Sequence, residues 1–330
     1  MKDTTYLSGL RLPSGFLRNR IVIPPMASAT ADEAGFVTER TLAHYRRLAT
    51  SGAALVFVEY SFVHPSGRSE ENQLGVDQEA QVEGLSKLAA VIKASGALAG
   101  IQLTHAGGKT ERRFTGEEPM GPSGVPVPVK DQIPEIPRPM DLSDIDSWRE
   151  SFLSAAARAR AAGFDVVELH AAHGYGLNQW LSPLTNLRDD AYGGTVEKNL
   201  TLITTILREI RASFPELILA VRMPGQDFFP GGLTPQDAVT IARALEASGV
   251  EILDVSSGIG GWRRPGVRSG EGYLVEEAGL IQRNVSVPVI GVGGIESKAY
   301  VNSILREGTV SLAAIGRAML KDPEFFFGSG

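Results

Sequence analysis

The fold of this chain is decided by a short apolar run, residues 54–58, which reads ALVFV. A continuous run of aliphatic and aromatic side chains is typical of a strand buried on both faces, as in a parallel sheet. Comparable runs recur along almost the whole chain. The eight predicted strands are Arg20–Pro25, Ala53–Tyr60, Leu98–His105, Asp165–Ala172, Ile218–Pro224, Ile252–Gly258, Pro288–Gly294 and Ser311–Gly316.

The segments between these strands carry the start and stop signals of helices. Ser143 and Asp146 have the spacing of a capping box, and Gly163 is placed to end that helix. Thr234 is the predicted N-cap of a later helix that ends near Gly249. Alternation of strands and helices predicts a parallel sheet with right-handed connections.

Eight such units predict an α/β fold of the closed (β/α)8 TIM barrel type. An open sheet that binds a dinucleotide would carry G-x-G-x-x-G after its first strand, whereas this strand runs into PPM at residues 24–26. Residues 1–19 predict a hairpin that plugs the barrel floor. Residues 106–143 contain seven prolines, which predict a non-helical excursion after the third strand. We expect residues 1–330 to be one domain.

The composition excludes several classes of function. The 330 residues carry a net charge of −6 and no long basic stripe, which argues against nucleic acid as the partner. No apolar run approaches the ~20 residues of a membrane span, and the first residues lack an apolar signal core, so we expect a cytoplasmic protein. The chain has no cysteine, so redox chemistry would require a bound organic cofactor.

The predicted fourth strand ends in a group of polar rings. The six residues at this strand end include His170, His173 and Tyr175. TIM barrels have their active sites at this end of the strands. A metal site would explain two histidines, but no HExxH or carboxylate motif completes it. The other interpretation is that two imidazoles polarise one carbonyl oxygen while a phenol supplies a proton, as the reduction of an activated C=C bond requires.

Strands seven and eight end in glycines. Gly293, Gly294 and Gly316 would expose backbone N–H groups to an anion, and Arg317 adds a guanidinium. This pattern favours a phosphate site. The alternative is that the glycines only permit tight turns.

Three segments together resemble the Old Yellow Enzyme family, in its thermophilic-like, xenobiotic-reductase branch. They are HAAHGY at 170–175, LSPLTN at 181–186 and RDDAYGG at 188–194. The resemblance implies FMN bound non-covalently on a TIM barrel. It also implies NAD(P)H as the reductant, a small α,β-unsaturated substrate, no metal, and a homodimer or homotetramer.

The resemblance also implies roles for individual residues. His170 and His173 would grip the substrate carbonyl and Tyr175 would donate the proton, while Lys109 matches a lysine near the flavin. The remaining implied flavin contacts are Pro24, Pro25, Met26 and Ala27 along the ring, Gln102 and Arg222 at its pyrimidine edge, and Gly293, Gly294, Gly316 and Arg317 at the phosphate.

Three residues depart from the family pattern. Ala27 replaces a cysteine that tunes the flavin, Ala29 replaces a substrate-binding tyrosine, and Tyr60 replaces a small residue beside the flavin. We expect Tyr60 to contact both cofactor and substrate.

These changes keep open a flavin-dependent double-bond isomerase or desaturase beside the leading hypothesis, an ene-reductase. A flavin-free aldolase or isomerase barrel explains only the phosphate site. The role of Trp262–Arg264 in the sixth loop, substrate contact or solvated surface, also stays open.

Overall fold

A computed structural model describes residues 4–128, 135–261, 266 and 268–327. The Trp262–Arg264 segment and Pro134 therefore lie outside the described residues.

The described residues form twelve strands. They are β1 Leu10–Leu12, β2 Gly15–Leu17, β3 Ile21–Ile23, β4 Leu55–Phe62, β5 Leu98–Thr104, β6 Met120–Gly121, β7 Arg138–Pro139, β8 Val166–His170, β9 Ile218–Pro224, β10 Ile252–Ser256, β11 Val289–Gly291 and β12 Leu312–Ala314.

Eleven α-helices lie in the same part of the chain. They are α1 Glu39–Ala49, α2 Val82–Lys93, α3 Arg112–Thr115, α4 Leu142–Ala161, α5 Gly176–Leu181, α6 Val196–Asn199, α7 Thr201–Ser213, α8 Pro235–Ala247, α9 Val275–Gln282, α10 Lys298–Arg306 and α11 Arg317–Lys321.

Eight of the strands close into a barrel and confirm the predicted fold. Going round the barrel, β3, β4, β5, β8, β9, β10, β11 and β12 pair in parallel, and β12 pairs back to β3. The register places His170 beside Arg222, and Arg222 beside Asp254. Since parallel strands end at one face, the polar ends of β5, β8, β9 and β10 meet at the mouth of the barrel.

The predicted hairpin plug is confirmed. β1 and β2 pair antiparallel, and Leu12 and Leu17 join an apolar cluster inside the barrel with Phe57, Val166 and Ile218. Leu17 is fully buried, whereas Phe16 next to it is 54% exposed. The hairpin therefore closes the floor of the barrel with alternate side chains.

In the part of the proline-rich excursion that the structure describes, a short helix forms that the sequence did not predict. The four residues of α3 form a helical turn before Pro119, the first proline of the segment. β6 and β7 then pair in parallel near the end of the excursion. The chain before Pro119 can form this helical turn because it keeps its backbone donors.

The predicted cap of α4 is wrong by two residues. Asp141, not Ser143, is the N-cap, and its carboxylate accepts from the backbone N–H of Asp144 at 2.9 Å. Asp and Ser are equally good N-caps, so the sequence alone could not choose between them. Gly163 has φ +86° just past this helix, as predicted, and Thr234 caps α8 with Asp237 completing a capping box.

Within the described residues, no helix combines the length and apolar character that crossing a bilayer requires.

Candidate active site

The turn after β8 carries the predicted catalytic side chains. His173 and Gly174 both have left-handed backbone conformations, with φ of +61° and +77°. Two such residues in succession reverse the chain sharply, and Tyr175 follows as the N-cap of α5. A Cβ added to Gly174 would lie 2.7 Å from the carbonyl oxygen of Ile259, so only glycine fits. The local backbone therefore fixes where Tyr175 stands.

The three predicted catalytic rings lie against one another. The ring centroids of His170 and His173 are 5.0 Å apart, and those of His170 and Tyr175 are 4.8 Å apart. Lys109 stands over the Tyr175 ring, with its Nζ 4.5 Å from the centroid, and donates to the carbonyl oxygen of His173. The structure therefore brings both imidazoles and the phenol to one place.

The histidines differ in their partners. His173 Nε2 lies 2.7 Å from the hydroxyl of Ser256, at the end of β10. His170 Nδ1 is buried and has no hydrogen-bond partner among the described residues. Buried polar atoms are rarely left unpaired, so this nitrogen is available to a bound molecule.

The surroundings of both imidazoles favour the neutral form of the ring. Burial, followed by the positive charges of Arg222 and Lys109, lowers the pKa of His170 well below its usual value. The pKa of His173 is lowered well below its usual value by burial first, then by Arg222, His170 and Lys109. A neutral imidazole donates one hydrogen bond. When the Ser256 hydroxyl donates to Nε2 of His173, the single N–H of the neutral imidazole lies at Nδ1. Nδ1 is then the atom of His173 that can donate a hydrogen bond to a bound molecule.

Tyr60 lies in the same pocket. Its ring centroid is 5.3 Å from that of Tyr175 and 6.4 Å from that of His170. Tyr60 is 8% exposed, and its ring lies against the same two rings as the predicted catalytic group. Burial raises the pKa of the Tyr175 phenol, which stays protonated at pH 7 and can act as a proton donor.

A buried polar group lies beside these rings. Gln102 donates to Glu168 at 3.1 Å, and Arg222 Nε lies 3.3 Å from a carboxylate oxygen of Asp254. Burial raises the pKa of Glu168 well above its usual value, with the nearby Asp254 adding to the effect. The Arg222 Nε and both Asp254 oxygens form no hydrogen bond within the described residues. A guanidinium donor of this kind fits the polar edge of a bound ring system.

The glycine-rich ends lie on the other side of the mouth. Gly293 has φ +122°, and a Cβ there would lie 2.9 Å from the backbone nitrogens of Tyr273 and Leu274. Gly316 packs against the end of the first barrel strand, where an added Cβ would meet Met26 Sδ at 3.0 Å. Arg317 is exposed and begins α11. The lack of a Cβ at Gly316 lets this loop approach Met26, and a phosphate site at these glycines stays a prediction.

These features satisfy the needs of FMN at separate points of the mouth. The glycine loops and Arg317 could take its phosphate, and Gln102 and Arg222 could take its pyrimidine edge. The ring could lie along Pro24, Pro25, Met26 and Ala27, of which Ala27 is exposed at the end of β3. The residues present therefore fit the group.

One predicted strand-end histidine has a structural role. His105 Nε2 lies 3.0 Å from the Ser66 hydroxyl, and its Nδ1 accepts from the N–H of Gly107 at 3.0 Å. Its ring packs against Trp148 with centroids 4.0 Å apart. Because both nitrogens are satisfied, His105 has nothing left to offer a ligand.

Sequence reasoning missed two neighbours of the catalytic rings. Ser256 lies at a strand end, and this position is a sequence signal that could have identified it. Its role follows only from the contact between its hydroxyl and His173, which the sequence does not show. Glu70 lies in a loop, and its charge acts on both Tyr60 and Tyr175. The Glu70-Glu71 pair resembles an ordinary solvated loop, so no sequence signal separates the two acids. Within the described residues, no group of three or more potential ligands is arranged to hold a metal ion.

A family model described as the NADH:flavin oxidoreductase / NADH oxidase family matches residues 10–328. The chain is 36% identical to an NADPH dehydrogenase of Clostridium acetobutylicum over 315 residues, 95% of this chain and 91% of that protein. It is 35% identical to an NADH oxidase of Thermoanaerobacter brockii over 332 residues, which covers 96% of this chain and 49% of that protein. The chain thus spans about half the length of the latter.

Among solved structures, the old yellow enzyme homologue from Zymomonas mobilis superposes with a TM-score of 0.84. The match covers 97% of this chain and 90% of that one at 23% sequence identity. At this identity the likeness concerns the fold, and it agrees with the closed barrel described above.

Proposed function

The chain belongs to the NADH:flavin oxidoreductase / NADH oxidase family, which includes the Old Yellow Enzymes, and from that premise we propose that it is an ene-reductase. It is a flavin-dependent NAD(P)H oxidoreductase with FMN as its cofactor. The proposal adds the reaction: reduction of the activated C=C bond of a small α,β-unsaturated carbonyl compound.

One observation carries this proposal. The His170 ring lies 5.0 Å from that of His173 and 4.8 Å from that of Tyr175, centroid to centroid, and His170 Nδ1 has no partner among the described residues. Neutral donors aimed at a carbonyl oxygen stabilise the negative charge that develops there when a hydride adds to the conjugated alkene. The phenol then has only to supply the matching proton.

The mechanism follows from these residues. FMN, held at the mouth of the barrel by the residues named below, would supply the transfer of hydride from NAD(P)H to the β-carbon of the substrate. His170 and His173 hold the carbonyl oxygen and stabilise the enolate that forms. Tyr175 gives its hydroxyl proton to the α-carbon, which completes the addition of one hydride and one proton across the bond. Ser256 orients His173 through the contact to Nε2.

The remaining proposed site residues hold the cofactor. Arg222 and Gln102 would face the pyrimidine edge, where the guanidinium charge favours the reduced, anionic cofactor. Gly293, Gly294, Gly316 and Arg317 would hold the phosphate, and residues 24–27 would line the ring. Tyr60 would contact both cofactor and substrate.

An anaerobic titration tests the proposal. Purified protein should show a flavin band at about 450 nm that NADPH bleaches and cyclohexenone restores, since the enone takes up the stored hydride. Bleaching without restoration by any enone would contradict ene-reduction while leaving the flavin oxidoreductase intact. Product formed by prereduced enzyme with no NADPH consumed would indicate the isomerase instead.

The double substitution His170→Ala with His173→Ala should separate substrate binding from cofactor binding. Removing both donors should lower kcat/KM for cyclohexenone by about 100-fold or more, because one preorganised donor to a developing oxyanion is worth that much. Flavin content should stay unchanged. His44→Ala on α1, outside the mouth, is the matched control. A double variant that reduced cyclohexenone at the wild-type rate would refute the assignment.

A further inference from the structure

A buried carboxylate lies where three segments at the barrel mouth meet. Asp227, in the loop after β9, is 1% exposed. The hydroxyl of Ser182, at the end of α5, donates to its Oδ2 at 2.6 Å. The backbone N–H of Ile259, in the loop after β10, donates to its Oδ1 at 2.8 Å. The N–H of Leu233 also donates to Oδ2, at 2.8 Å, and closes the loop of Asp227 on itself.

Two glycines leave the space that this carboxylate fills. A Cβ on Gly258 would collide with Oδ1 of Asp227, and a Cβ on Gly232 would lie 2.7 Å from the Cβ of Asp227. The N–H of Gly258 also donates to the carbonyl oxygen of Gln226 at 3.1 Å, which ties the loops after β9 and β10 together. Since a buried group that loses its hydrogen bonds is destabilised, these contacts fix the geometry around Asp227.

One of the three segments carries Tyr175. This residue is the N-cap of α5, and Ser182 is the C-cap of the same short helix. Within the helix, Asn178 accepts from the N–H of Gly174 at 2.7 Å, and Gln179 donates to the carbonyl oxygen of Gly174 at 2.8 Å. The turn before α5 is therefore bound to the helix whose far end the buried carboxylate holds.

The loop after β10 supports the same turn from the other side. The carbonyl oxygen of Ser257 accepts from the N–H of His173 at 3.1 Å. The carbonyl oxygen of Ile259 lies against Gly174, where an added Cβ would stand 2.7 Å from it. Asp227 accepts from the N–H of this same Ile259. The carboxylate is thus bonded to both of the segments between which the turn lies.

The placement of Tyr175 decides whether its proton can reach a substrate. The residue is only partly buried, and its ring packs against those of His170 and Tyr60 with centroids 4.8 and 5.3 Å away. Ring packing of this kind is not strongly directional, whereas proton transfer requires the donor within about 3 Å of the atom it protonates. The backbone of the turn must therefore set the direction of the side chain.

We propose that Asp227 is a positioning residue for Tyr175. By holding the end of α5 and the loop after β10 at a fixed separation, its carboxylate aims the phenol at the α-carbon of the substrate. The proposal rests on the proposed ene-reductase function, in which Tyr175 gives its proton to that carbon. Asp227 itself transfers no proton in this scheme.

Rapid mixing of the FMN-loaded enzyme tests the proposal in two half-reactions. Asp227→Asn has one acceptor oxygen in place of two, so it leaves the N–H of Ile259 or of Leu233 unpaired. Reoxidation by cyclohexenone should slow by about 10- to 100-fold, since a displacement of about 1 Å can cost that much. Reduction by NADPH should stay within about threefold, because it takes no proton from Tyr175. Equal slowing of both steps would overturn the proposal, as would wild-type reoxidation.

A double substitution distinguishes positioning from a general structural role. If Asp227 acts through Tyr175, adding Asp227→Asn to Tyr175→Phe should slow reoxidation by less than about a further twofold. Losses that multiply would overturn the proposal. Asp237→Asn is the matched control, since its carboxylate also accepts a backbone N–H, that of Thr234 at 2.9 Å, but caps α8 instead. Both of its rates should stay within about twofold of wild type.

Ser182→Ala tests the same link from its other end and replaces Asp227→Asn if that variant does not fold. It removes the donor on α5 and keeps both backbone donors to the carboxylate. Reoxidation should slow by about 3- to 10-fold, the equivalent of one hydrogen bond, with NADPH reduction unchanged. Wild-type reoxidation in Ser182→Ala would overturn the link through α5 and the proposal with it.

A spectroscopic measurement needs no turnover. In enzyme with tyrosine labelled with 13C at Cζ, the NMR signal that is lost in Tyr175→Phe should shift in Asp227→Asn and stay in place in Asp237→Asn. An unmoved signal in Asp227→Asn would overturn the positioning role. A wild-type enzyme that NADPH bleaches but that reduces no enone would overturn the proposed function instead, and the Tyr175 signal would still decide whether Asp227 positions the phenol.

Discussion

At the scale of single residues, Glu59 shows how the fold changes the chemistry of one side chain. It lies on β4 and accepts from the backbone N–H and hydroxyl of Ser28, close behind the predicted flavin-lining residues 24–27. Burial raises the pKa of Glu59 from 4.5 to about 7, although both contacts with Ser28 lower it. The carboxyl therefore titrates near neutral pH.

This shift predicts a pH-dependent stability. In the unfolded chain Glu59 ionises near pH 4.5, whereas in the fold it ionises near 7. The protonated group therefore contributes stability that is fully present below pH 4.5 and is lost as the pH rises through 7. Urea unfolding at pH 5 and pH 8 should show wild type losing up to about 3 kcal/mol relative to Glu59→Gln. Parallel pH profiles for the two proteins would contradict this.

The three histidines at the strand ends show what a sequence motif cannot predict about a single residue. His105, His170 and His173 all fall at predicted strand ends, and the strand pattern alone does not rank them. The structure separates them by their partners: His105 has both nitrogens satisfied, while His170 Nδ1 lacks a partner among the described residues. Hydrogen bonding by residues distant in sequence makes this distinction.

At the scale of elements, the turn between β8 and α5 depends on backbone conformation. Gly174 combines a left-handed φ with a Cβ direction that is blocked by Ile259. Gly163, after α4, has a left-handed φ of +86° with open space around it. A substitution at Gly163 therefore measures only the free energy lost to the left-handed conformation. A substitution at Gly174 adds the free energy lost to a steric clash.

Substitution of these glycines should give different results. Gly163→Ala should cost about 1–2 kcal/mol of unfolding free energy, the price of a left-handed alanine, with activity unchanged. Gly174→Ala should cost more and also lower kcat for cyclohexenone, because the shifted turn moves Tyr175. Thermal unfolding and steady-state kinetics on both variants check this. Equal activity in the two variants would show that the turn tolerates displacement.

Helix α4 allows a test of the corrected cap. Asp141→Ala should destabilise the protein by about 1 kcal/mol, because the N–H of Asp144 loses its acceptor. Ser143→Ala should cost well under that, since Ser143 only donates its hydroxyl to Asp141. Chemical denaturation of both variants decides the matter. A larger loss from Ser143→Ala would favour the cap predicted from the sequence.

At the scale of the whole molecule, the hairpin of β1 and β2 supplies part of the barrel core from outside the repeat. Leu17→Ala should destabilise the protein by about 2–5 kcal/mol, because it leaves a cavity among fully buried side chains. Phe16→Ala, on the exposed side of the same hairpin, should cost less than about 1 kcal/mol. Denaturant unfolding measures both. Similar losses would mean that the hairpin does not seal the barrel.

The assembly of the molecule stays a prediction. The family resemblance led us to expect a homodimer or homotetramer, and sedimentation of the FMN-loaded protein would determine which form exists. The proposed ene-reductase chemistry does not depend on the answer, since every side chain that it uses lies in the mouth of one barrel.

The sequence by itself determined the barrel and the positions of most proposed site residues. Its eight buried strand runs and their helical connections are local signals, and because parallel strands end at one face, the strand ends identify the mouth. The tertiary structure decided which polar groups meet there: Ser256 with His173, and Lys109 with Tyr175. It also decided the protonation of Glu59 and the histidines. Burial and contacts between distant segments set these properties, and neither is encoded in the spacing of residues along the chain.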